Sequence, residues 1–474
     1  MTLSNDEAGK NTKLWKQGRP AQIAQLVAHE VFNDSRVLKE ATSVIDAGGK
    51  VQIIGRALPS TNMAERYLQV EGKSVIRIPG YSMYSILPEK ALNKLRKASG
   101  MDANSIAILS QNSQPDGQSI NAANETPEAK GKSSSRRTSS QRIFKLVKDG
   151  GYRVANLIDA PVGLASWWLR VVSELRKSKP DLIHCNDANT LIPGYLASKA
   201  LKVPFVYDSH ELWRHRATRE NRIIAPHVEA LIETFAAPRA AGIITVSQSI
   251  AEWLELEYKL PEMPTLVRNV PETMETEVPG SLREMAGLGT DDRIFSYSGS
   301  INPTRGIEIA VQALSMLPNK VHFVMLGYGS ADYSKSLNDL AVSLGVEDRI
   351  HIVGPVRADE VAGTLSDSDV AYIYLKSDIL SHRFALPNKL FEAIAGGLPV
   401  VVSNRPEAAN LVSELGIGRI LESDEPGVLA SAVQAVLDDG AQYRHATSEA
   451  RKGISWGNEA ARMIDLYAKV LHGR

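Results

Sequence analysis

Three polar side chains interrupt an otherwise apolar segment in the last quarter of the chain. The segment RFALPNKLFEAIAGGLPVVVSN (383–404) carries Asn388, Lys389 and Glu392 within one and a half helical turns. Pro387 suits a first helical turn, where free backbone N–H groups and the positive dipole end attract a phosphate. Glu392 follows one turn later and suits a ribose diol. A helix with its polar residues in solvent and Glu392 paired to Lys389 explains this segment alone slightly better.

A second stretch, YSGSINPTRGIEIAVQAL (297–314), repeats the same theme. It predicts a strand that ends at Gly299, then a loop, then a helix that starts near Gly306. Arg305 directly precedes the N-terminus of that helix. A glycine turn after a strand, with a cation at the next helix N-terminus, is typical of phosphate sites. One such turn is weak support, but MLGYGSADY adds another in the same half of the chain.

Polar groups also follow two predicted strands in the first half. YDSHELWRHR places Asp208, His210 and Glu211 after one strand, at the edge where a cleft would open. His210 is a candidate hydrogen-bond donor or acid-base group, or a histidine satisfied by a loop carbonyl. HCNDANT places His184 and Asp187 after the preceding strand, and the apolar neighbours of His184 favour a structural role.

The first predicted helix begins at FNDSRVLKEA, which offers Asn33 and Arg36 as further candidates on the acceptor side of a cleft. Asp34 or Ser35 suits the N-cap of that helix.

Several common kinds of catalytic site have no counterpart in the sequence. It contains no HExxH zinc motif, no P-loop and no GxSxG nucleophile elbow. Cys185 is the single cysteine, so no intramolecular disulfide or cysteine metal cluster can form, and we expect it in a buried strand. No metal site is predicted.

Short apolar runs alternate with helical patterns along most of the chain, which predicts parallel sheets covered on both faces. The fold class is therefore α/β with doubly wound sheets, in too many units for one sheet. The acidic, Pro- and Gly-rich stretch 270–292 predicts the break between two Rossmann-like domains that face each other across a cleft. The predicted strands are KVQIIGRA ending near Gly55, DLIHCND, VPFVYDSHE, AGIITVSQS, RIFSYSGS, VHFVMLGYG, RIHIVGPV, SDVAYIYL and LPVVVSN.

Two features depart from this alternation. Residues 104–141 are mostly Ser, Gln, Asn and Gly, and they predict a flexible loop insertion. Residues 130–148 contain seven basic and no acidic residues with apolar ones near their end, which fits either a solvated linker or an element at a membrane surface.

Composition supplies only broad limits. Of 474 residues, 54 are Lys or Arg and 54 are Asp or Glu, so net charge favours neither nucleic acid nor a membrane as partner. The first 20 residues are polar, and no apolar run is long enough to span a bilayer. We expect a cytoplasmic protein, with peripheral contact at the inner face of the membrane as a hypothesis for 130–148.

The ordered set GSINPTRGIEIAVQAL, VMLGYGS, RIHIVGPV and ALPNKLFEAIAGGLPVVVS resembles the C-terminal domain of GT-B fold retaining glycosyltransferases of the glycogen-synthase-like group, GT4. NDSRVLKEATSVIDAGGKVQIIGR, VPFVYDSHELW and AAGIITVSQSI resemble the N-terminal domain. The resemblance implies an acceptor-side domain over 1–272, a nucleotide-sugar domain over 273–455 and a helix over 456–474 that crosses back to the first domain.

The resemblance also implies roles for residues that match the family's motifs. Arg305 and Lys389 would neutralise the donor diphosphate, and His210 would face the transferred sugar. Glu392 would hold the ribose. The full set of implied donor-binding residues is Gly299, Ser300, Arg305, Val353, Gly354, Asn388, Lys389, Leu390 and Glu392.

Two positions depart from the family pattern. Phe384 stands where the first glutamate of the E-x7-E motif belongs, and Ser300 stands where an arginine commonly follows the loop glycine. The resemblance implies transfer of a sugar from a UDP- or GDP-sugar to a saccharide or lipid-linked saccharide, without a metal or other cofactor. A nucleotide-sugar 2-epimerase and a pseudo-glycosyltransferase partner subunit are the alternatives, and Phe384 and Ser300 motivate the second.

Overall fold

Two parallel sheets dominate the architecture. The computed structural model describes residues 12–57, 66–79, 163–216, 225–272, 280–376 and 379–473. Eight strands from the first part of the chain form one sheet, and six strands from the second part form another. Each sheet has an apolar cluster on both of its faces, so the predicted doubly wound α/β class is confirmed.

The first sheet has the spatial order β10-β9-β8-β7-β3-β4-β6-β5, and only its edge strand β5 runs antiparallel to its neighbour. A two-stranded hairpin precedes it. The strands are β1 (Trp15–Lys16), β2 (Arg19–Pro20), β3 (Gln22–Leu26), β4 (Lys50–Ala57), β5 (Tyr67–Val70), β6 (Lys73–Pro79), β7 (Leu182–Asn186), β8 (Phe205–Ser209), β9 (Gly242–Thr245) and β10 (Thr265–Leu266).

Among the described residues of the first half, five helices flank the first sheet. The Asp34 carboxylate caps the first of them by accepting from the backbone N–H groups of Arg36 and Val37, as expected. Cys185 is buried in β7, which confirms that expectation too. The helices are α1 (Ser35–Asp46), α2 (163–178), α3 (Ala188–Leu201), α4 (Ala225–Ala236) and α5 (Gln248–Tyr258).

The second sheet is parallel throughout, in the order β13-β12-β11-β14-β15-β16. Its strands are β11 (Arg293–Ser298), β12 (Val321–Leu326), β13 (Ile350–Val353), β14 (Val370–Ile373), β15 (Val400–Ser403) and β16 (Gly418–Leu421). The helices of this half are α6 (Leu282–Ala286), α7 (Ile307–Leu314), α8 (Ala331–Leu344), α9 (Val361–Leu365), α10 (Leu380–Phe384), α11 (Asn388–Ala395), α12 (Pro406–Leu415), α13 (Pro426–Asp438), α14 (Gly440–Gly453) and α15 (Trp456–His472).

The strand order reverses once in each sheet, and this fixes where ligands can bind. The reversal lies between β3 and β7 in the first sheet and between β11 and β14 in the second. In open α/β sheets the crevice outside the carboxyl ends of the strands at such a point is the usual ligand site. The loops that follow β7 and β11 therefore line the two walls of the cleft.

Helix α10 joins the two walls. Leu380 and Phe384 pack against the apolar cluster of the first sheet. The Ser247 hydroxyl donates to the Phe384 carbonyl at 2.6 Å, and the Ser381 hydroxyl donates to the Glu211 carboxylate at 3.3 Å. The residue that departs from the family glutamate thus serves as an apolar contact between the two halves of the molecule.

Helix α15 lies against the first sheet although it ends the chain. Trp456, Met463 and Tyr467 belong to the same apolar cluster as strand β3. The buried Glu459 carboxylate accepts from the backbone N–H and the guanidinium of Arg268, in the segment that leads out of the first sheet. The predicted boundary near 272 stays a prediction, because residues 273–279 lie outside the described residues, as do 104–141 and 130–148.

Within the described ranges, none of the helices combines the length and the apolar character needed to cross a bilayer.

Replacing Glu459 by glutamine should destabilise the fold. The carboxylate is 0 % exposed and is hydrogen-bonded to Arg268, so its loss leaves a partly buried guanidinium unpaired. We expect the free energy of unfolding in urea to fall by about 3 kcal/mol. The control is Glu449→Gln, which breaks the exposed 2.7 Å pair with Lys452 and should leave the unfolding midpoint unchanged. Equal effects of the two substitutions would contradict this account of α15.

Candidate functional site

Glycines allow the loops after β11 and β12 to lie in contact at the cleft. Gly299 follows β11 with a φ of +110°, in the left-handed half of the backbone map that favours glycine. A Cβ on Gly327 would stand only 2.0 Å from the Gly299 carbonyl oxygen, so any side chain there would push the loops apart. The close approach leaves the backbone of the β11 loop next to the first turn of α11.

Lys389 points at this loop from α11. Its ammonium Nζ lies 4.0 Å from the centroid of the Tyr297 ring and 3.9 Å from where a Cβ on Gly299 would be. Burial, reinforced by the nearby positive charge of Arg305, lowers the pKa of Lys389 to about 7. An ammonium in this position is electrostatically unsatisfied until an anion arrives.

Arg305 supplies the second cation. It ends the short turn Pro303–Arg305 that leads into α7, where Gly306 adopts a φ of +62°. The Arg305 Nε is buried and has no hydrogen-bond partner within the described part of the chain. Two cations beside a glycine loop and a helix N-terminus are an arrangement typical of anion sites, and the predicted diphosphate role of both residues stays a prediction.

Glu392 lies one turn along α11 from these cations. It accepts a 3.2 Å hydrogen bond from the Ser298 hydroxyl, and burial raises the pKa of its carboxyl group. Among the described residues, no ion pair of 4.0 Å or less joins Glu392 to Lys389, so the simple helix-surface pair does not form. The carboxylate is left to accept from a ligand hydroxyl.

The remaining donor-side candidates surround this core. Val353 ends β13, and its carbonyl accepts from the Gly327 N–H at 3.2 Å, while Gly354 beyond it is exposed. Ser300 is bound within its own loop, because its backbone carbonyl accepts a hydrogen bond from the Tyr297 hydroxyl at 2.7 Å. In the first turn of α11, Asn388 is exposed and Leu390 is buried.

The acceptor-side candidates do not all face the cleft. Asn33 belongs to the short turn Val31–Asn33 that precedes α1. Arg36 and Asp208 are instead buried, 3 % and 0 % exposed, and form an ion pair of 2.8 Å. Their assignment as acceptor-contacting residues is therefore corrected: each neutralises the other inside the first wall, because a lone buried charge would cost too much.

His210 lies between two carboxylates at the cleft surface. Its Nε2 is 3.3 Å from Asp208 and its Nδ1 is 3.7 Å from Asp187. Burial opposes protonation, but the two negative charges outweigh it and raise the pKa of His210 to about 10. His210 is thus an imidazolium at neutral pH, which suits a hydrogen-bond donor and not a general base.

A buried polar network supports this histidine from behind, and sequence patterns did not reveal it. His184 Nε2 lies 3.6 Å from Asp208 and 3.5 Å from Glu40, and its Nδ1 lies 2.6 Å from the Tyr467 hydroxyl. Glu40, His184 and Asp208 bring potential metal ligands within 4.8 Å of one another. Arg36 donates to Asp208 and pairs with Glu40 at 2.9 Å, so a guanidinium already balances this cluster.

Two family profiles match adjacent parts of the chain. The profile described as "Glycosyltransferase Family 4" matches residues 127–269, and "Glycosyl transferases group 1" matches residues 281–453. The first profile covers strands β7 to β10 of the first wall, and the second covers the wall that carries Arg305 and Lys389.

Relatives are distant but match along much of their length. An uncharacterised glycosyltransferase of Methanocaldococcus jannaschii is 24% identical over 325 residues, which is 64% of this chain and 80% of that protein. A D-inositol 3-phosphate glycosyltransferase of Xylanimonas cellulosilytica is 26% identical over 310 residues, which is 62% of this chain and 73% of that protein.

Solved structures agree on the fold. Sucrose-phosphate synthase from Thermosynechococcus elongatus superposes with a TM-score of 0.67 at 15% identity, over 96% of this chain and 100% of that one. HepE of Anabaena, solved in complex with UDP, gives a TM-score of 0.62 at 16% identity, over 94% of this chain and all of that one. The two profiles and the relatives support a GT4-type glycosyltransferase, and the likeness to solved structures shows that the chain has the GT-B fold.

Proposed function

We propose that this protein transfers a sugar from a nucleoside diphosphate to an acceptor hydroxyl, with retention of the anomeric configuration and without a metal ion. The observation that carries the proposal is the convergence of two unneutralised cations, Lys389 and Arg305, on the glycine loop after β11. Departure of a diphosphate concentrates negative charge at one point. Preorganised cations and helix N–H groups stabilise that charge, as Mg²⁺ does in other enzymes.

The substrate classes follow from the same wall and from the relatives. UDP is favoured as the donor nucleotide because HepE was solved with UDP and with UDP-glucose, and GDP is the alternative. Glu392 would accept from the ribose hydroxyls. Several relatives are named D-inositol 3-phosphate glycosyltransferases, so a polyol or saccharide acceptor, including a lipid-linked one, fits a role in cell-surface polysaccharide or glycoconjugate synthesis.

The proposed transfer does not require a side chain that acts as a general base. The acceptor oxygen would form its bond to the anomeric carbon on the face from which the diphosphate leaves, and the departing phosphate oxygen would take the acceptor proton. His210, held as an imidazolium, would donate to a sugar hydroxyl and position the ring. The absence of a carboxylate at Phe384 is compatible with this route because no step requires one.

Removing either cation should impair binding and turnover. We expect Arg305→Ala and Lys389→Ala each to lower kcat/KM for the nucleotide sugar about a hundredfold, since each leaves the developing diphosphate charge less stabilised. The measurement is release of UDP or GDP, with calorimetric binding of UDP, GDP and ADP. The matched control is Arg293→Ala, at the opposite end of β11, where the side chain is 60% exposed and pairs with Asp369.

The outcomes of this experiment separate the candidate functions. Near-normal kcat/KM in both variants would refute the diphosphate assignment. Nucleotide binding without hydrolysis or transfer would identify a pseudo-glycosyltransferase, and interconversion of the donor sugar without an acceptor would identify an epimerase. Glu392→Ala should weaken nucleotide binding more than it weakens binding of pyrophosphate, which has no ribose.

Nucleotide binding should take up a proton at Lys389. The pKa of about 7 in the free protein should rise when the diphosphate neutralises the site, so at pH 8 binding draws close to one proton from the buffer. The affinity should accordingly fall by about tenfold per pH unit as the pH rises above 7. Calorimetry at pH 8 in buffers of different ionisation enthalpy measures the uptake. Lys389→Arg keeps its charge and should abolish it, whereas equal uptake in that variant would refute the assignment.

The basic stretch 130–148 lies outside the described residues and remains the basis of a membrane hypothesis. If it docks on the inner face of the cell membrane, co-sedimentation with liposomes should increase with the fraction of anionic lipid and decrease with salt. A variant with the seven basic residues of 130–148 replaced by glutamine is the control. Binding that does not depend on anionic lipid would dispose of the hypothesis.

A further inference from the structure

Asp187 stands at the position in the first wall where a ligand is most expected. It directly follows β7, the strand at which the order of the first sheet reverses, and its backbone N–H donates to the Asp208 carbonyl at 2.9 Å. The residue is 9 % exposed, and its side chain lies 3.7 Å from the His210 ring. The mechanism described above uses this carboxylate only as one of the two charges that keep His210 protonated.

The backbone at Asp187 is strained in a way that aspartate does not relieve. Its φ of 62° and ψ of 164° fall in a region that is essentially restricted to glycine. Lys202 and Lys259 also have positive φ, but their ψ values of 42° and 53° place them in the ordinary left-handed helical region. A glycine would satisfy the turn after β7 better, so the carboxylate must contribute something that offsets the strain.

That contribution is not helix capping. Asp187 occupies the N-cap position of α3, yet its side chain accepts no hydrogen bond from the helix. Its Oδ1 is buried and has no hydrogen-bond partner in the described residues. Burial also raises the pKa of this carboxyl group. A buried carboxylate oxygen without a partner is costly, and a ligand that donates a hydrogen bond would remove the cost.

The surrounding charges indicate what kind of ligand fits. The imidazolium of His210 and the side chains of His29 and Arg216 contribute positive charge near Asp187, and Asp208 contributes negative charge. Asp34, 3.2 Å from His29, adds a further carboxylate. Carboxylates therefore balance the cations of this wall, unlike those of the opposite wall. Such a surface favours a neutral hydroxyl over a phosphate group.

The same side chain is connected to the contact between the two halves of the molecule. The positive charge of Arg216 acts on Asp187 and partly opposes the rise in its pKa that burial causes. Arg216 Nη1 lies 3.5 Å from the Glu211 carboxylate. Glu211 in turn accepts from Ser381 of α10. Asp187 thus belongs to the part of the first wall that meets α10, the helix that carries Phe384 in place of a carboxylate.

We propose that Asp187 binds a hydroxyl group of the sugar substrate in the cleft, accepting a hydrogen bond at Oδ1 while the neighbouring His210 donates one. The inference rests on the proposed glycosyl transfer and gives Asp187 a direct contact with the substrate in addition to its effect on His210. The hydroxyl belongs either to the transferred sugar or to a saccharide or polyol acceptor, and binding measurements distinguish these two sources.

The test compares sugar-dependent with sugar-independent affinity. For wild type, Asp187→Asn and Asp187→Gly, calorimetry gives the Kd of UDP and GDP and the Kd of UDP-glucose, UDP-N-acetylglucosamine and GDP-mannose. We expect the variants to bind the free nucleotides as the wild type does and to lose at least tenfold in affinity for the nucleotide sugar. Saturation-transfer NMR with glucose and myo-inositol, in the presence of saturating UDP or GDP, tests the acceptor as the source.

The matched control is Asp181→Asn at the other end of the same strand. Asp181 directly precedes β7 and receives two hydrogen bonds from Arg19, so this substitution should lower the Tm and leave every ligand affinity unchanged. Asp187→Gly should unfold at a Tm no lower than that of the wild type, because glycine relieves the backbone strain.

Each result decides the matter. A selective loss of nucleotide-sugar affinity assigns Asp187 to the transferred sugar, and a selective loss of the glucose or inositol signal assigns it to the acceptor. No change in either, with normal nucleotide binding, overturns the inference and leaves the proposed function standing. A Tm loss in both Asp187 variants without a ligand effect makes the residue structural. Failure of the wild type to bind any nucleotide refutes the proposed function, and the inference with it.

Discussion

A single buried guanidinium, that of Arg36, connects the parts of the first wall. It pairs with Asp208 at the end of β8, with Glu40 one turn along α1, and with the Val267 carbonyl in the segment leaving the first sheet. A charge of this kind is tolerated in the interior only when every donor is satisfied. The position of α1 and of the segment after β10 is therefore tied to the same carboxylate that holds His210.

The two walls of the cleft differ in how their positive charges are balanced. In the first wall the cations are matched by carboxylates, and the polar network continues through His184 to Tyr467 on the returning helix α15. In the second wall Lys389 lies over an aromatic ring, and Arg305 Nε has no hydrogen-bond partner among the residues that the structure describes. The charges of the first wall are thus balanced by its own residues, whereas the cations of the second wall would be stabilised by the anion that the proposed function requires.

Sequence patterns predicted the strands that consist of nearly continuous apolar residues. VHFVML and VVVS are buried on both faces and were assigned correctly as strands. Strand β3, QIAQL, was missed because two glutamines interrupt its run, and one of them, Gln25, is buried against Glu40. The first-half strand KVQIIGRA extends to Ala57, two residues past the predicted end.

Site residues that lie close together in the sequence could be predicted, whereas those that pair with distant residues could not. Lys389 and Glu392 share one helix, so their spacing raised the hypothesis of a ligand with anionic and hydroxyl groups, and the glycine turns elsewhere in the same half of the chain added support. Arg36 and Asp208 are 172 residues apart in the chain, and nothing in either segment shows that they neutralise each other. Asp187 was noted only as a polar residue after a strand, because its unusual backbone angles are a property of the folded turn after β7.

Phe384, at the position of the family glutamate, changes which wall of the cleft carries the carboxylates. A carboxylate on α10 would have to be solvated or bound to ligand, and it would resist packing against an apolar surface. Phe384 instead packs on the cluster that contains Trp213 and Leu212, and its carbonyl binds Ser247. Under the proposed function, acidic recognition of the substrate is left to Glu392 at the ribose end and to the first wall, where Asp187 lies 3.7 Å from the His210 ring. An apolar residue at this position thus stabilises the contact between the walls, and under the proposed function it leaves recognition of the sugar hydroxyls to the carboxylates of the first wall.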